Sequence, residues 1–164
     1  MPFRLDLLRH GEALPAGNDG DAARPLSPAG RRAVTQIGRE FTRRSWRPDW
    51  ICSSPLRRAR ETAAILLESV ASGGDPEILD ELLPDGEPAD LLAALTALAA
   101  AGHLVLVGHQ PLLGRLVEHL VGGPERPLAP ATLVWIECRE LGPRGVGRVE
   151  LEIWPGVPAG GSGC

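Results

Sequence analysis

Hydrophobic residues follow two spacings along the chain, and the spacing changes repeatedly between residues 3 and 122. Short, mainly apolar stretches of strand length occupy residues 3–8, 50–52 and 103–107. Apolar residues three or four positions apart, typical of one helix face, occupy residues 28–45, 55–72, 88–101 and 111–121. A brief edge strand is predicted over 77–79. Strand and helix therefore alternate, which predicts a parallel sheet covered by helices on both faces.

The pattern changes in the last third of the chain. Two strands predicted over 133–138 and 146–154 are joined by a loop that contains Gly and Pro, which predicts an antiparallel hairpin added to the sheet. The expected fold class is α/β: a three-layer α/β/α sandwich with a mostly parallel central sheet and a C-terminal antiparallel hairpin. A single domain is predicted over residues 1–154, followed by a flexible Gly/Pro tail over residues 155–164.

Two of the predicted helices begin with the same signal. Ser27 and Ser54 are each followed by proline. Serine is a preferred N-cap residue and proline suits the first helical position, because a proline there loses no intrahelical hydrogen bond. Each pair therefore predicts a capped helix start.

Some polar residues lie within the predicted strands and helices. Arg4 and Asp6 interrupt the otherwise apolar first strand, and a local ion pair between them is the simplest expectation. His103 begins a strand and His119 lies within a helix. We expect both histidines to be structural or to face solvent.

Three of the predicted strands are followed at once by polar side chains. The segments are Arg9-His10-Gly11-Glu12, Ser54-Pro55-Leu56-Arg57-Arg58-Ala59 and Gly108-His109-Gln110-Pro111. Ligands of open α/β sheets bind beyond the carboxyl ends of the strands, so we expect these segments to form one site. An arginine beside a histidine at such a strand end is suited to binding an anion.

Composition and charge narrow the possible functions. A chain of 164 residues with 43% hydrophobic and 23% charged residues has the size and composition of one globular domain. The formal net charge of -4 argues against general nucleic-acid binding, so any basic site must be local. All 17 Lys and Arg residues are Arg. An anion site would therefore use guanidinium groups, which bind phosphate in a bidentate manner.

Apolar segments and cysteines add further expectations. No apolar segment has the length of a signal peptide or a membrane span, so we expect a cytoplasmic protein that does not bind membranes. Cys52, Cys138 and Cys164 are odd in number and widely spaced. This spacing favours neither a disulfide framework nor a zinc site. We expect no metal and no other cofactor.

Taken in order, three motifs resemble those of the histidine phosphatase superfamily. They are Arg9-His10-Gly11-Glu12, the sequence SPLRRARETA over residues 54–63, and Val107-Gly108-His109-Gln110-Pro111. The short chain, the segment Arg24-Pro25-Leu26-Ser27 and the Gly-His-Gln-Pro motif are most similar to the small SixA-type phosphohistidine phosphatases of that superfamily. The resemblance covers about residues 3–122 and implies a phosphoglycerate mutase-like fold.

The resemblance also implies roles for individual residues. His10 would be the nucleophile that is transiently phosphorylated. The other residues of the phosphate pocket would be Arg9, Gly11, Arg24, Arg58 and His109. Of the two adjacent arginines, Arg58 rather than Arg57 matches the family pattern, because it directly precedes Ala59.

These residue types suit phosphoryl transfer on physical grounds as well. A phosphoryl group that is transferred to a neutral imidazole spreads charge over its oxygens, and planar guanidinium groups neutralise that charge. Nearby arginines lower the pKa of His10 and so keep it unprotonated. A protonated His109 would add a further cation once phosphate is bound.

The leaving group decides whether a proton donor is needed. Superfamily members that act on phosphate esters protonate the leaving oxygen with an acidic residue, and the matching stretch here contains Glu81, with Asp80 and Asp85 as alternatives. An alkoxide has a conjugate acid with a pKa of about 15.7, whereas that of imidazole is about 6.5. A phosphohistidine donor therefore needs little acid catalysis.

The sequence predicts a metal-independent phosphatase that acts through phospho-His10. The stretch between Arg58 and His109 is short, which favours an open pocket and a phosphorylated side chain presented by another protein. The resemblance implies phosphohistidine in a partner such as a histidine phosphotransfer domain, and hence signal transduction. One alternative is a small-molecule phosphomonoesterase of the α-ribazole or sugar phosphatase type. Another is a non-catalytic module that binds phosphoproteins.

Overall fold

A computed structural model of the protein describes residues 2–98, 102–141, 144–145 and 147–156. Residues 157–164, which make up most of the predicted flexible tail, lie outside the described residues. The predicted end of the third helix over 99–101 lies outside them as well. Among the described residues, six strands form one sheet. Its strands are β1 (Phe3–Arg9), β2 (Trp50–Ser53), β3 (Glu77–Ile78), β4 (His103–Gly108), β5 (Leu133–Cys138) and β6 (Gly147–Ile153).

The strand order is β3-β2-β4-β1-β5-β6. β3 pairs in parallel with β2, β2 with β4, and β4 with β1. β5 is antiparallel to β1, and β6 is antiparallel to β5. This topology confirms the predicted parallel core with a C-terminal antiparallel hairpin.

Helices cover both faces of the sheet, as predicted. They are α1 (Pro28–Arg43), α2 (Arg57–Ser69), α3 (Pro88–Leu95) and α4 (Leu112–Val121), with short 3-10 helices at Asp21–Ala23, Asp80–Leu82 and Thr96–Leu98. On one face, α1 and α2 pack against strand residues that include Leu8, Val105 and Val107. On the other, α3 and α4 pack against the intervening residues, such as Leu104 and Leu106. Successive side chains of β4 point to opposite faces of the sheet, so this strand contributes to the core beneath both helix layers.

The two predicted helix starts have different outcomes. Ser27 caps α1 as predicted: its hydroxyl accepts a hydrogen bond from the Gly30 amide at 2.9 Å, and Pro28 is the first helical residue. The predicted cap at Ser54 is wrong, because α2 begins at Arg57. The Ser54 amide donates to the carbonyl oxygen of Val107 at 3.0 Å, so Ser54 continues the hydrogen bonding between β2 and β4.

The expected ion pair in β1 is present and belongs to a larger buried group. Nε and Nη2 of Arg4 donate to the two carboxylate oxygens of Asp6, each at 2.8 Å. His103 Nε2 lies 2.8 Å from Oδ2 of the same carboxylate. The Arg4 guanidinium also lies between the rings of Trp46 and Trp135, at 3.5 and 4.2 Å from their centroids. His103 therefore has the structural role expected from the sequence.

Neutralising Asp6 is expected to destabilise the fold. Asp6 is fully buried, so an Asp6→Asn variant leaves the Arg4 guanidinium without its buried counter-charge. We expect the free energy of unfolding, measured by urea denaturation, to fall by about 2 kcal/mol. The control is Glu150→Gln, which removes the partner of the exposed Arg148 and should cost less than about 0.5 kcal/mol. Equal losses in the two variants would contradict a special role for the buried pair.

Candidate active site

The carboxyl ends of three neighbouring strands bring the polar segments together. β4 lies between β1 and β2, and Arg9 at the end of β1 is opposite Gly108 at the end of β4. The His10 amide donates to the Gly108 carbonyl oxygen at 3.1 Å. The rings of His10 and His109 are 4.8 Å apart between centroids, with an interplanar angle of 54°. The two sequence-predicted histidines therefore share one site.

One nitrogen of the His10 ring is fixed by its own backbone. Nδ1 lies 2.7 Å from the carbonyl oxygen of Gly11. A carbonyl oxygen only accepts hydrogen bonds, so Nδ1 carries the proton and Nε2 of the neutral ring keeps its lone pair. Nε2 is thus the nitrogen that can act as a nucleophile.

Gly11 links His10 to α2. Its amide donates to the Thr62 hydroxyl at 3.2 Å, and that hydroxyl donates to the Arg58 carbonyl oxygen at 2.8 Å. A side chain at position 11 would meet the carbonyl oxygen of Gly30 at 2.9 Å, so the close approach of α1 requires glycine here. The turn after β1 is therefore held between the two helices.

Burial and positive charge both keep His10 neutral. His10 is only 9% exposed, and this burial is the main reason that its pKa is lowered to about 4. The positive charges of Arg58, Arg9 and Arg24 lower it further, in that order, while the hydrogen bond to Gly11 raises it. At neutral pH the ring is in the unprotonated state that a nucleophile requires.

His109 is the more deeply buried histidine, at 2% exposed. Its Nε2 lies 2.8 Å from the Ser54 hydroxyl, and its Nδ1 is buried with no hydrogen-bond partner among the described residues. Burial, followed by the neighbouring His10 and Arg58, lowers the pKa of His109 to about 3. The ring is therefore neutral in the free protein.

Two arginines flank the histidines. Arg58, in the first turn of α2, is 5% exposed and donates to the Asp21 carbonyl and carboxylate oxygens at 3.0 and 3.1 Å. Arg9 donates through Nη1 to the Leu128 carbonyl oxygen at 2.6 Å, while its Nε is buried and unpartnered in the described part of the chain. By contrast, the side chain of Arg57 is 54% exposed and pairs with Glu61.

The loop before α1 supplies a third arginine and a carboxylate. Arg24 donates to the Leu14 carbonyl oxygen at 2.7 Å and to the Asp21 carboxylate at 3.0 Å. Asp21 thus binds both Arg24 and Arg58, although its side chain is 61% exposed. The hydrogen bond from Arg24 is the largest cause of a lowered Asp21 pKa. In the free protein, Asp21 is the anion held by these two guanidinium groups.

Comparisons with known proteins indicate the family of the chain. The family model described as histidine phosphatase superfamily (branch 1) matches residues 5–83. An uncharacterized protein of Picosynechococcus is 36% identical over 126 residues, which cover 74% of each chain. The phosphohistidine phosphatase SixA of Escherichia coli is 29% identical over 129 residues, which cover 77% of this chain and 79% of that one. The chain belongs to the histidine phosphatase superfamily.

The fold of this superfamily phosphatase is also that of SixA. The structure of the protein histidine phosphatase SixA complexed with tungstate superposes with a TM-score of 0.85, at 23% sequence identity, and covers 93% of this chain and 97% of that chain. This likeness confirms the expected phosphoglycerate mutase-like α/β fold. The sequence motifs, the family model and the fold all indicate the same family.

The acidic residues predicted as proton donors lie in a neighbouring segment of this phosphatase. Glu81 is half-buried in the 3-10 helix Asp80–Leu82, and Leu82 packs beside Gly108 at the end of β4. Among the described residues, no hydrogen bond joins the Glu81 carboxylate to His10, Arg58 or His109. Asp80 and Asp85 are exposed. Glu81 therefore belongs to a segment that lies beside the end of β4, the strand that precedes His109.

The described residues offer neither a cluster of metal ligands nor a membrane-spanning helix. No group of three or more His, Cys, Asp or Glu side chains there could hold a metal ion. None of the described helices combines the length and apolar character needed to cross a bilayer.

The lowered pKa of His10 predicts an unusual titration. We expect its imidazole to titrate near pH 4 rather than near the ordinary 6.5. A lowered pKa in a base extends the neutral form to lower pH, so the nucleophile is available above about pH 5 and lost below pH 4. NMR titration of the imidazole resonances measures the midpoint, with His10→Gln to assign them. A midpoint at or above 6.5 would contradict the buried, cation-flanked environment.

Proposed function

We propose that the protein removes phosphate from phosphohistidine in a partner protein, through a phosphorylated His10. The observation that carries the proposal is the neutral His10 ring, whose free Nε2 lies at a strand end flanked by the guanidinium groups of Arg9 and Arg58. Such an arrangement offers a nucleophile and positive charge to the same phosphoryl group.

The proposed reaction has two transfers. His10 Nε2 forms a bond to phosphorus while the bond from phosphorus to the donor imidazole nitrogen breaks, and the donor ring leaves as neutral imidazole once its other nitrogen is protonated. Water then attacks phospho-His10, which releases inorganic phosphate and restores the neutral ring. Arg9 and Arg58 neutralise the charge on the phosphoryl oxygens in both transfers. Arg24 joins them when phosphate displaces the Asp21 carboxylate.

Phosphohistidine is the substrate class that this site supports best. Among the described residues, the histidines and arginines have specific hydrogen-bond partners and the Glu81 carboxylate has none, so the proposed reaction does not rely on Glu81 as a proton donor. A neutral imidazole leaves without that help. SixA of Escherichia coli carries the name of a phosphohistidine phosphatase, which supports the same substrate for its relative. A histidine phosphotransfer domain in a signalling system would be such a partner.

A substrate comparison tests the proposal. The protein is assayed on a histidine phosphotransfer domain phosphorylated on histidine and on a panel of phosphate esters that includes α-ribazole phosphate and sugar phosphates. We expect kcat/KM for the phosphoprotein to exceed that for every ester. Faster turnover of an ester would support the small-molecule alternative. Binding of the phosphoprotein without any release of phosphate would support the non-catalytic module.

The proposed reaction uses no metal. We therefore expect activity to survive treatment with a chelator and to be inhibited by tungstate or vanadate, which would occupy the phosphate pocket. Restoration of a chelated, inactive enzyme by a divalent cation would contradict this part of the proposal.

A further inference from the structure

The contact between Ser54 and His109 has no part in the reaction described above. Both side chains are buried: Ser54 is fully buried and His109 is 2% exposed. The Ser54 oxygen lies 2.8 Å from His109 Nε2, and it also accepts a hydrogen bond from the Leu56 amide at 3.2 Å. The Leu56 amide uses only a lone pair of the Ser54 oxygen, so the hydroxyl hydrogen is free for another partner.

The hydrogens at this contact can be assigned from their donors and acceptors. The Leu56 amide is a donor, so it cannot accept the hydroxyl hydrogen of Ser54. Among the described residues, the other hydrogen-bond partner of the Ser54 hydroxyl is His109 Nε2. If Nε2 carried the proton of the neutral ring, two hydrogens would compete for one contact and the buried hydroxyl hydrogen would lack an acceptor. That tautomer would leave both the hydroxyl hydrogen and the Nδ1 lone pair without a partner among the described residues, whereas the Nδ1–H tautomer leaves only the Nδ1–H group, so Ser54 donates and Nε2 accepts.

The proton of the neutral His109 ring then lies on Nδ1. This nitrogen is buried and has no partner among the described residues. As an N–H group beside His10, it needs an acceptor, and the acceptor that this site is suited to hold is an oxygen of a bound phosphoryl group.

We propose that Ser54 is a positioning residue that fixes the tautomer of His109, so that the Nδ1–H group donates a hydrogen bond to a phosphoryl oxygen. The identity of that oxygen rests on the proposed function, but the tautomer does not. His109 then acts as a neutral donor, in contrast to the additional cation expected from the sequence. A neutral donor places no second positive charge 4.8 Å from the ring of His10.

The tautomer can be measured directly in the wild-type protein. Nitrogen-15 NMR of the histidine rings at neutral pH distinguishes a protonated Nδ1 from a protonated Nε2, and a His109→Gln variant assigns the resonances. We expect His109 to be protonated on Nδ1. Protonation on Nε2 would overturn the proposal, whatever the behaviour of any variant.

The role of Ser54 is tested against its neighbour. Ser53 is also fully buried, but its hydroxyl donates to the Ser54 carbonyl oxygen at 2.9 Å, so Ser53→Ala is a matched loss of one buried hydroxyl. We expect Ser54→Ala to change the His109 tautomer and to weaken tungstate binding about tenfold. Ser53→Ala should leave the His109 tautomer and the tungstate affinity unchanged. Ser54→Thr keeps a hydroxyl at this position, so it should keep the wild-type tautomer and affinity. An unchanged tautomer and unchanged tungstate affinity in Ser54→Ala would overturn the role of Ser54.

The two proposals fail in different ways. If the wild-type protein shows the Nδ1–H tautomer but releases no phosphate from a phosphohistidine protein, the proposed function fails and the assignment of His109 stands. If it releases phosphate but His109 carries its proton on Nε2, the positioning role fails and the proposed function stands. Should Ser54→Ala not fold, the wild-type tautomer and the Ser54→Thr variant still decide the proposal.

Discussion

Replacement of His10 with alanine is expected to lower turnover by a factor of about one thousand or more. The variant loses His10 Nε2, the nitrogen that is placed to act as a nucleophile, since Nδ1 of the same ring is bound to the Gly11 carbonyl oxygen. Water would then have to attack the substrate directly, with only the guanidinium groups to stabilise the transition state. Release of phosphate from a phosphohistidine protein, followed over time, measures the loss.

A labelling experiment tests whether the reaction passes through a phosphorylated His10. Wild-type protein that is mixed with labelled substrate and quenched should carry an acid-labile phosphoryl label, and His10→Ala should carry none. The control is His119→Gln, a change to a histidine on α4 outside the group of residues at the strand ends, which should keep both the label and the turnover. Wild-type turnover in His10→Ala, or absence of label on the wild-type protein, would contradict the mechanism.

The fold could be predicted from the sequence because each element had a strong local signal. The apolar stretch at β4 and the Ser27-Pro28 pair each predict a structure that local physics alone favours. The same local reasoning failed at Ser54. Its serine-proline signal was as good as that at Ser27, but the amide of Ser54 pairs with Val107, a residue distant in sequence. Tertiary hydrogen bonding therefore decided between two uses of one residue type.

The residues of the candidate site were also only partly predictable from the sequence. His10 and His109 could be selected because they follow strands whose ends had to meet once the sheet was parallel. Asp21 could not, because it lies in a polar loop where an acidic residue is ordinary, and only the fold brings it to Arg24 and Arg58. The Asp-x-x-Arg spacing was a possible signal, but it is too common to identify an ion pair.

The structure also accounts for a positive site in a protein with a net charge of -4. Surface arginines such as Arg31 and Arg57 share the carboxylate of Glu61, which offsets part of their charge where they are exposed. Arg9 is partly buried, and this burial lowers its pKa. The charged guanidinium has therefore lost part of its hydration, which is unfavourable. A bound phosphate would offset this cost, so the positive charge is concentrated where an anion can use it.

Replacement of Arg58 with alanine is expected to lower kcat/KM for the phosphohistidine protein by about 100- to 1000-fold. The buried guanidinium would donate two hydrogen bonds to the phosphoryl oxygens, and its loss would also leave the Asp21 carboxylate near the pocket with one cation fewer. Arg58→Lys keeps the charge but not the planar pair of donors, so it should recover only part of the activity. Steady-state kinetics on the phosphoprotein measures both variants.

The adjacent arginine provides the control for this prediction. Arg57→Ala removes the same side chain one position earlier in α2, but from a group that is 54% exposed and bound to Glu61. Exposed ion pairs contribute little, so kcat/KM should change by no more than about a factor of two. If Arg57→Ala were as damaging as Arg58→Ala, general disturbance of α2 would explain both losses. If only Arg58→Ala is damaging, the result supports a direct action of the buried guanidinium on the phosphoryl group.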